Sequence, residues 1–342
     1  MLTIRKRQGA TKADSREDAV MTLKHCETTL PDGVSVVVPI FNSADTLTEL
    51  LGRIISVLKA REIDFEVILV NDGSSDNSWE LVKTFAIDDR FIRGINLRRN
   101  FGQHNALLCG LRSARYGTTV TMDDDLQHSP EEIPKLLETL DQGYDVVYGA
   151  PEVLTQSVLR NFLSSRIKHI AARASGIASV KEINSFRALK TNLRDSFRHL
   201  DTSDVFIDAI LAWTTSRFGV VTIEHNKRSS GVSNYSLVAL TNQTLKMLTA
   251  YTIAPLRVAI LIGSLFIGFG GIVFLYVVTR YFLQGSVPGF PFIASIISLF
   301  AGAQLFALGI IGEYVGRIFQ RTTGRPAYVV ENTMEAPGDG ET

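Results

Sequence analysis

Short β-branched runs alternate with stretches of helical apolar spacing through the first half of the chain. Two long uncharged runs close the second half. The segment Val34-Ser35-Val36-Val37-Val38-Pro39-Ile40, ended by proline, predicts a buried strand. Residues 46–60 carry Leu47, Leu50, Leu51, Ile54, Ile55 and Leu58 at helical spacing. Further strands are predicted over 66–70, 92–97, 118–122 and 145–148, with helices over 78–85 and 105–114 between them. Ser129-Pro130-Glu131-Glu132 has capping-box spacing and predicts a helix start. This alternation predicts an α/β domain with a mainly parallel, doubly wound sheet. After Gly149 the rhythm changes. Residues 158–175 read as a basic amphipathic helix carrying Arg160, Arg166, Lys168 and Arg173. A strand over 184–189, a helix over 205–214, a strand over 220–224 and a polar-apolar helix over 236–251 follow.

No charge occurs between Arg257 and Arg280, and the next after Arg280 is Glu313. Each run supplies the ~20 apolar residues that a membrane-crossing helix needs. Only Gln284-Gly285-Ser286-Val287-Pro288-Gly289 separates them, so they predict a two-helix transmembrane hairpin, at about 258–279 and 289–312. A helical hairpin buried in a globular core fits the lengths of the runs less well. The chain thus divides into a flexible tail over 1–33, an α/β catalytic domain over 34–235 and a juxtamembrane or interfacial helix over 236–255. The hairpin occupies 256–316 and a tail 317–342, flexible after Val330. Lys246 and Arg257 precede the first span, and Arg317, Arg321 and Arg325 follow the second, while the connecting loop has only Arg280 at its edge. The positive-inside bias predicts a multi-pass protein of the cytoplasmic (inner) membrane, with both termini and the α/β domain in the cytoplasm.

A formal net charge of +0 over 342 residues argues against nucleic acid as the main partner. The two cysteines, Cys26 and Cys109, make no disulfide framework and fit a reducing compartment. No apolar stretch lies near Met1, so no cleavable signal peptide is expected.

Two carboxylate groups fall where predicted strands end, and ligand crevices of open α/β sheets lie beyond those ends. Asp72, in Asn71-Asp72-Gly73-Ser74, is a weak signal because turns favour Asp-Gly for backbone reasons alone. The cluster Asp123-Asp124-Asp125-Leu126-Gln127 is stronger, because adjacent carboxylates repel one another unless a cation is present. On pattern alone it reads either as a Mg2+ or Mn2+ site completed by substrate phosphates or as a solvated acidic turn. No Gly-x-Gly-x-x-Gly follows the first strand and no P-loop occurs, which argues against a dinucleotide-dependent dehydrogenase and a P-loop nucleotidase. No Cys/His cluster has zinc spacing. His104, between Gln103 and Asn105, reads as a capping or packing residue rather than a catalytic one.

Several segments in order carry a resemblance. They are Val36-Val37-Val38-Pro39-Ile40-Phe41-Asn42, Val70-Asn71-Asp72-Gly73-Ser74-Ser75-Asp76 and Arg99-Asn100-Phe101-Gly102-Gln103-His104-Asn105-Ala106, then the acidic cluster at 123–127. Arg228-Ser229-Ser230-Gly231-Val232-Ser233-Asn234-Tyr235-Ser236 follows, and after the hairpin Gly312-Glu313-Tyr314-Val315-Gly316-Arg317-Ile318 and Arg325-Pro326-Ala327-Tyr328. Each segment is modest alone. Together, over residues 34–330, the chain resembles family 2 glycosyltransferases. Within them it is similar to the polyprenyl-phosphate type: dolichyl-phosphate mannose synthases, bactoprenol glucosyltransferases and undecaprenyl-phosphate aminoarabinose transferases.

The resemblance implies a GT-A nucleotide-diphospho-sugar transferase fold. It implies inverting transfer from a nucleotide sugar, UDP-linked before GDP-linked, to a polyprenyl phosphate such as undecaprenyl phosphate, for cell-envelope glycan modification. It also implies a homo-oligomer, relatives including tetramers. By it Asp72 holds the nucleoside, and Asp123, Asp125 and Gln127 hold Mg2+ or Mn2+ and the donor diphosphate. Pro39, Phe41, Asn42, Asn100, Gln103, Asp124, Arg228 and Ser233 are further donor contacts, and Asp125 and Arg187 are the catalytic candidates. The acceptor phosphate is anionic near neutral pH, its second ionisation lying near ~6, so no strong base is required. Arginine forks suit its positioning, and Arg187 and Arg228 are the candidates, with a surface ion pair as the alternative for Arg187. Residues 229–233 form either a mobile lid or an ordinary linker. The basic helix over 158–175 and the helix over 236–251 either lie on the bilayer surface or pack on the sheet.

The chain departs from its relatives in four places. Ser43 and Ala44 precede Asp45 where acidic residues are common, and Ser185 stands where many have aspartate before Phe-Arg, with Glu182 nearby. Ala150-Pro151-Glu152 replace a segment that often holds arginine, and Asn234 replaces a common lysine. A processive polysaccharide synthase would carry a Gln-x-x-Arg-Trp motif, which is absent. A catalytically silent membrane scaffold would not need the acidic cluster.

Overall fold

The computed structural model describes residues 30–151, 184–198, 200, 205–223, 254–284 and 289–335. Among them an eight-stranded sheet runs in the order β7-β5-β6-β4-β1-β2-β3-β8. Its strands are β1 (Val34–Ile40), β2 (Phe65–Asn71), β3 (Ile92–Leu97), β4 (Thr118–Thr121), β5 (Val146–Pro151), β6 (Arg187–Lys190), β7 (Phe218–Ile223) and β8 (Val330–Met334). β1 pairs in parallel with both β2 and β4, and β2 with β3. β5 pairs in parallel with β7, β6 runs antiparallel between β4 and β5, and β8 runs antiparallel to β3, so the sheet is mostly parallel, as expected, with two antiparallel strands.

Strand alternation divides the core into two layers. Val36, Val38, Val67 and Leu69 face α1 (Ala44–Lys59), α2 (Ser78–Asp88) and α4 (Ile133–Leu140), through Leu47, Leu50, Ile54, Val82 and Leu136. Val37, Ile68 and Val70 face α3 (Gln103–Ser113) and α5 (Ile207–Thr214), through Ala106, Leu107, Ile207 and Ile210. Every residue of β1 is buried, as befits a Val-rich strand covered on both faces. Gly110 lets α3 lie close on the sheet, because a Cβ there would run into the Val37 side chain.

Two expectations are corrected. The capping box at Ser129 does not form. A 3-10 turn spans Pro130–Glu132, and Ser129 makes no side-chain cap. Its hydroxyl instead donates to Glu131 at 2.8 Å and accepts from Arg53 at 2.8 Å, which ties α1 to the segment after the acidic cluster. Residues 331–334, expected as the start of a flexible tail, are ordered, while 336–342 lie outside the described residues. With Val330 they form β8, covering an edge of β3 that would otherwise leave its backbone groups unpaired. Charges secure it. Buried Arg93 donates to Glu66 at 2.7 Å and to Glu335 at 3.0 Å, and Arg115 adds a 2.8 Å bond to Glu335.

The two uncharged runs form α6 (Ala254–Gln284) and α7 (Phe290–Thr322). Among the described residues one helix is long and apolar enough to cross a membrane. It is the 26-residue stretch Val258–Leu283 of α6, only 6% of which is buried. At 1.5 Å per residue it extends ~39 Å, beyond the ~30 Å of a bilayer's hydrocarbon. α7 packs on it, with Phe300 edge-on to Phe266 at 5.6 Å and seated against Gly270. The helices expected over 158–175 and 236–251, the tail over 1–29 and most of the loop after Gln284 lie outside the described residues.

Candidate active site

β1 stands between β2 and β4, so the chain crosses away to both sides of it. A crevice then opens beyond the carboxyl ends of these strands. The loops that follow β1, β2, β3 and β4 enclose a cavity of about 300 Å3 there. Pro39, Phe41, Asp72, Asn100 and Gln103 lie on its wall, facing Asp123, Asp124 and Asp125. Ile40 and Gly102, which the sequence did not single out, complete it.

Most of these side chains first hold the loops to one another. Asp72 accepts the backbone N–H groups of Phe101 at 2.7 Å and Gly102 at 2.9 Å, fixing the start of α3 against the wall. Gly73, at φ +68°, lets the next loop close in, since a Cβ there would meet the Asn100 nitrogen at 2.5 Å. Asp124 accepts from the Phe41 N–H at 3.1 Å and from the Ser43 hydroxyl. Asn42 does not line the cavity. Its Oδ1 accepts from the Ser75 N–H at 2.8 Å and its own N–H donates to Ser74 at 3.0 Å. The departure at Ser43 is therefore a local compensation, its hydroxyl bonding Asp124.

Asp123 and Asp125 are held differently. Asp123 accepts from Gln103 Nε2 at 2.5 Å and from the Ser185 hydroxyl, so Ser185 orients a carboxylate rather than acting as a base. Leu126 sits at φ 59°, a conformation uncommon for leucine, and turns the chain so that Gln127 folds back on Asp125. Gln127 donates to Asp125 from its backbone at 3.1 Å and from its amide at 2.6 Å. It supports Asp125 instead of facing the cavity as a metal ligand. Burial pushes the Asp123 carboxyl up to about 6, and the neighbouring Asp125 and Asp124 add to the rise. Burial also raises Asp124, against the pull of its Ser43 and Phe41 bonds.

This crowding of half-buried carboxylates beside a cavity calls for a cation. Among the described residues no three carboxylate, imidazole or thiolate side chains converge to cage a metal alone. The donor set fits Mg2+ or Mn2+ as such ions are held by one or two carboxylates plus substrate phosphates. The first turn of α3, with Gln103 on the same wall, brings the positive dipole end of the helix to those phosphates, the Gly102 N–H itself being taken by Asp72.

Arg187 is corrected. It is neither on the cavity wall nor on the surface but fully buried, 1% exposed. It pairs with Asp208 of α5, its Nε donates to Thr121 at 3.1 Å, and it lies 5.7 Å from the Tyr148 ring. Tyr148 donates to Asp208 at 2.9 Å, and Thr121 donates to the Ser185 carbonyl at 2.6 Å. A buried polar chain thus runs from α5 to the peptide beside Asp123. Sequence reading missed Asp208, although a lone carboxylate in Ile207-Asp208-Ala209-Ile210-Leu211 demands a buried partner. His104 packs against Phe206 at 4.5 Å, and burial holds its pKa down at about 4. Arg228, Ser233, Asn234, Glu152 and Glu182 lie outside the described residues.

His104 and Asp123 should oppose each other in acid. As pH falls from 6.5 to about 4, the unfolded chain protonates at His104 before the folded one does, so stability is lost. As pH falls from about 6 to 3.8, folded Asp123 takes its proton first, so stability is gained. In metal-free protein melted across pH 7.5 to 4.5, His104→Gln raises the acid side of the curve relative to the parent. Asp123→Asn lowers that side relative to its own neutral side. Parallel curves for all three proteins would contradict the assignment.

The family model described as glycosyl transferase family 2 matches residues 35–201. The chain is 33% identical to the undecaprenyl-phosphate 4-deoxy-4-formamido-L-arabinose transferase of Shewanella sediminis over 312 residues, 89% of this chain and 93% of the relative. It is 35% identical to the protein of the same name from Proteus mirabilis over 306 residues, 88% and 94% of the two chains. Among solved structures it is similar to a glucosyl-3-phosphoglycerate synthase of Mycobacterium tuberculosis, with 18% identity over 73% of this chain and 86% of that one and a TM-score of 0.48. The long curated matches, taken with the sheet order and the cavity at the β1/β4 crevice, agree with the GT-A expectation: the chain belongs to glycosyl transferase family 2 and is a glycosyltransferase.

Proposed function

We propose that this glycosyltransferase moves a sugar from a UDP-linked donor to undecaprenyl phosphate at the cytoplasmic face of the membrane, with inversion at the sugar carbon. The single observation that carries the reading is the convergence of Asp72, Asp123, Asp125 and Gln103 on one cavity beside the first turn of α3. The two curated relatives support the acceptor, and their names make 4-deoxy-4-formamido-L-arabinose the first sugar to try. In this reading Pro39, Phe41 and Asn100 enclose the nucleoside, while Asp72 keeps the 100–102 loop in place to receive it. The α3 terminus and Gln103 orient the diphosphate. Asp123 and Asp125 would hold Mg2+ or Mn2+, which when bound offsets the charge gathering on the leaving diphosphate. Ser185 and Gln127 keep the two carboxylates aimed. Arg187 and Asp208 hold the floor of the site. α6 and α7 form the membrane hairpin, both termini are cytoplasmic, and the chain assembles as a homo-oligomer.

Calorimetric titration of the full chain in detergent with UDP and GDP, with Mn2+ or with EDTA, tests the donor half. UDP should bind with Mn2+ and weaken roughly 10- to 100-fold in EDTA or in Asp125→Asn. Folded protein that binds neither nucleotide under either condition would instead be a membrane scaffold.

A further inference from the structure

The pairing of β8 with β3 is irregular at one residue. Gly94, Ile95 and Asn96 pair in register with Met334, Thr333 and Asn332, but Leu97 pairs with Val330. Glu331 is therefore an extra residue opposite the step from Asn96 to Leu97. Successive residues of a strand face opposite sides, and an inserted residue re-aims a side chain. Asn96 and Asn332 stand opposite each other on one face, so regular alternation would send Glu331 to the other. Instead Glu331 Oε2 accepts from Asn96 Nδ2 at 3.0 Å.

That bond is the outer end of a chain. Asn71 and Asn96 are register partners near the carboxyl ends of β2 and β3, and both are buried. Asn71 Nδ2 donates to Asn96 Oδ1 at 2.7 Å, and the Ser74 hydroxyl donates to Asn71 Oδ1 at 2.6 Å. The Asn42 N–H then donates to the Ser74 oxygen at 3.0 Å. Phe41, next to Asn42, and Asp72, two residues before Ser74, line the donor cavity. An asparagine amide offers an acceptor on one side and a donor on the other, so two amides in series fit a chain of either sense. A carboxylate only accepts, and Glu331 therefore admits one sense. Asn96 must turn its NH2 to Glu331 and its oxygen to Asn71. The Asn71 oxygen then faces Ser74, and the lone pairs of the Ser74 oxygen remain for the Asn42 N–H. Residues 323–329 join this strand to the end of α7.

We propose that Glu331 is a positioning residue for the nucleotide donor. From the strand that follows α7, it sets the sense of this hydrogen-bond chain and so holds the loops after β1 and β2 in the shape that receives the nucleotide. This rests on the donor reading given above. Glu331 is not itself on the cavity wall, and its effect passes through Asn96, Asn71 and Ser74.

Calorimetry on the full chain in detergent with UDP and Mn2+ tests the assignment, with melting curves on the same preparations. Glu331→Lys presents a donor in place of an acceptor, so Asn96 turns its oxygen outward and the chain reverses. UDP should bind about three- to tenfold more weakly, although the added positive charge alone would favour an anionic ligand. Glu331→Gln keeps a carbonyl oxygen for Asn96 and should stay within about twofold of the parent. Asn96→Asp sets a second carboxylate against Glu331 and should weaken UDP as Glu331→Lys does. Combining Asn96→Asp with Glu331→Gln lets the new amide donate to the new carboxylate, which still accepts from Asn71, and should restore binding to near the parent value. The melting temperatures of Glu331→Lys and Glu331→Gln should agree within about 2 °C, because the residue is exposed. UDP affinity unchanged in Glu331→Lys would overturn the assignment, as would a double variant that binds as weakly as Asn96→Asp alone. A weaker affinity in Glu331→Lys accompanied by a fall in melting temperature of about 5 °C or more would also overturn it, leaving Glu331 as support for the sheet edge. A parent chain that binds no nucleotide overturns the donor reading and this inference with it, a result distinct from a parent that binds UDP and variants that bind it equally well.

Discussion

Asp123→Asn should inactivate the enzyme while leaving it at least as stable as the parent at pH 7.5. The carboxylate is half-buried beside Asp124 and Asp125, and that environment raises its pKa to about 6. Above that value the folded protein carries an ionised group that its surroundings disfavour, and the unfolded chain carries it freely in water. Removing the charge lifts this penalty, so the melting temperature should hold or rise by on the order of a few degrees at pH 7.5, with the advantage fading below pH 5. Asparagine keeps an oxygen to accept from Gln103 and can donate its amide N–H to the Ser185 hydroxyl, which accepts as well as donates, so the loops stay in place. Transfer should nonetheless fall on the order of 100- to 1,000-fold, because charge stabilisation at a leaving group is worth several kcal/mol. Melting curves and initial rates on the same preparation check both halves. A variant that loses stability together with activity would show that Asp123 is a structural residue.

Arg187→Met should have the largest effect on stability. The guanidinium is fully enclosed, and its removal leaves Asp208 as an unpaired charge in the layer between α5 and the sheet. Breaking such a pair from one side costs about 3–5 kcal/mol, roughly 10 °C or more in melting temperature for a domain of this size. Asp208→Leu alone should cost a similar amount. The double variant should recover most of the loss, because the desolvation of both charges disappears together. Additive losses in the double variant, or an unchanged melting temperature in Arg187→Met, would contradict the pairing.

The β-branched runs and the helical spacing between them made the parallel half of the sheet legible in sequence, because each buried strand there lies between two helical layers. The wall of the donor cavity was legible for the same reason: Asp72 and Asp123 to Asp125 sit at strand ends. Their detailed duties were not. Whether a carboxylate at a strand end receives a ligand or a backbone N–H depends on which loop packs beside it, and Asp72 and Asp124 both hold neighbouring loops. Arg187 was misplaced because its partner Asp208 lies 21 residues away with no local pattern joining them. β8 was missed because Val330–Met334 has little apolar alternation and is fixed by the edge of β3 and by Arg93, both remote in sequence.

The most direct test of the central claim is transfer of labelled sugar from UDP-linked donors into organic-extractable lipid. It uses membranes containing the protein, added undecaprenyl phosphate and Mn2+. The account predicts one labelled lipid from one donor, released as free sugar by mild acid and absent with EDTA or Asp125→Asn. Label entering the lipid equally well in EDTA, or no label from any donor in folded protein that binds UDP, would contradict it.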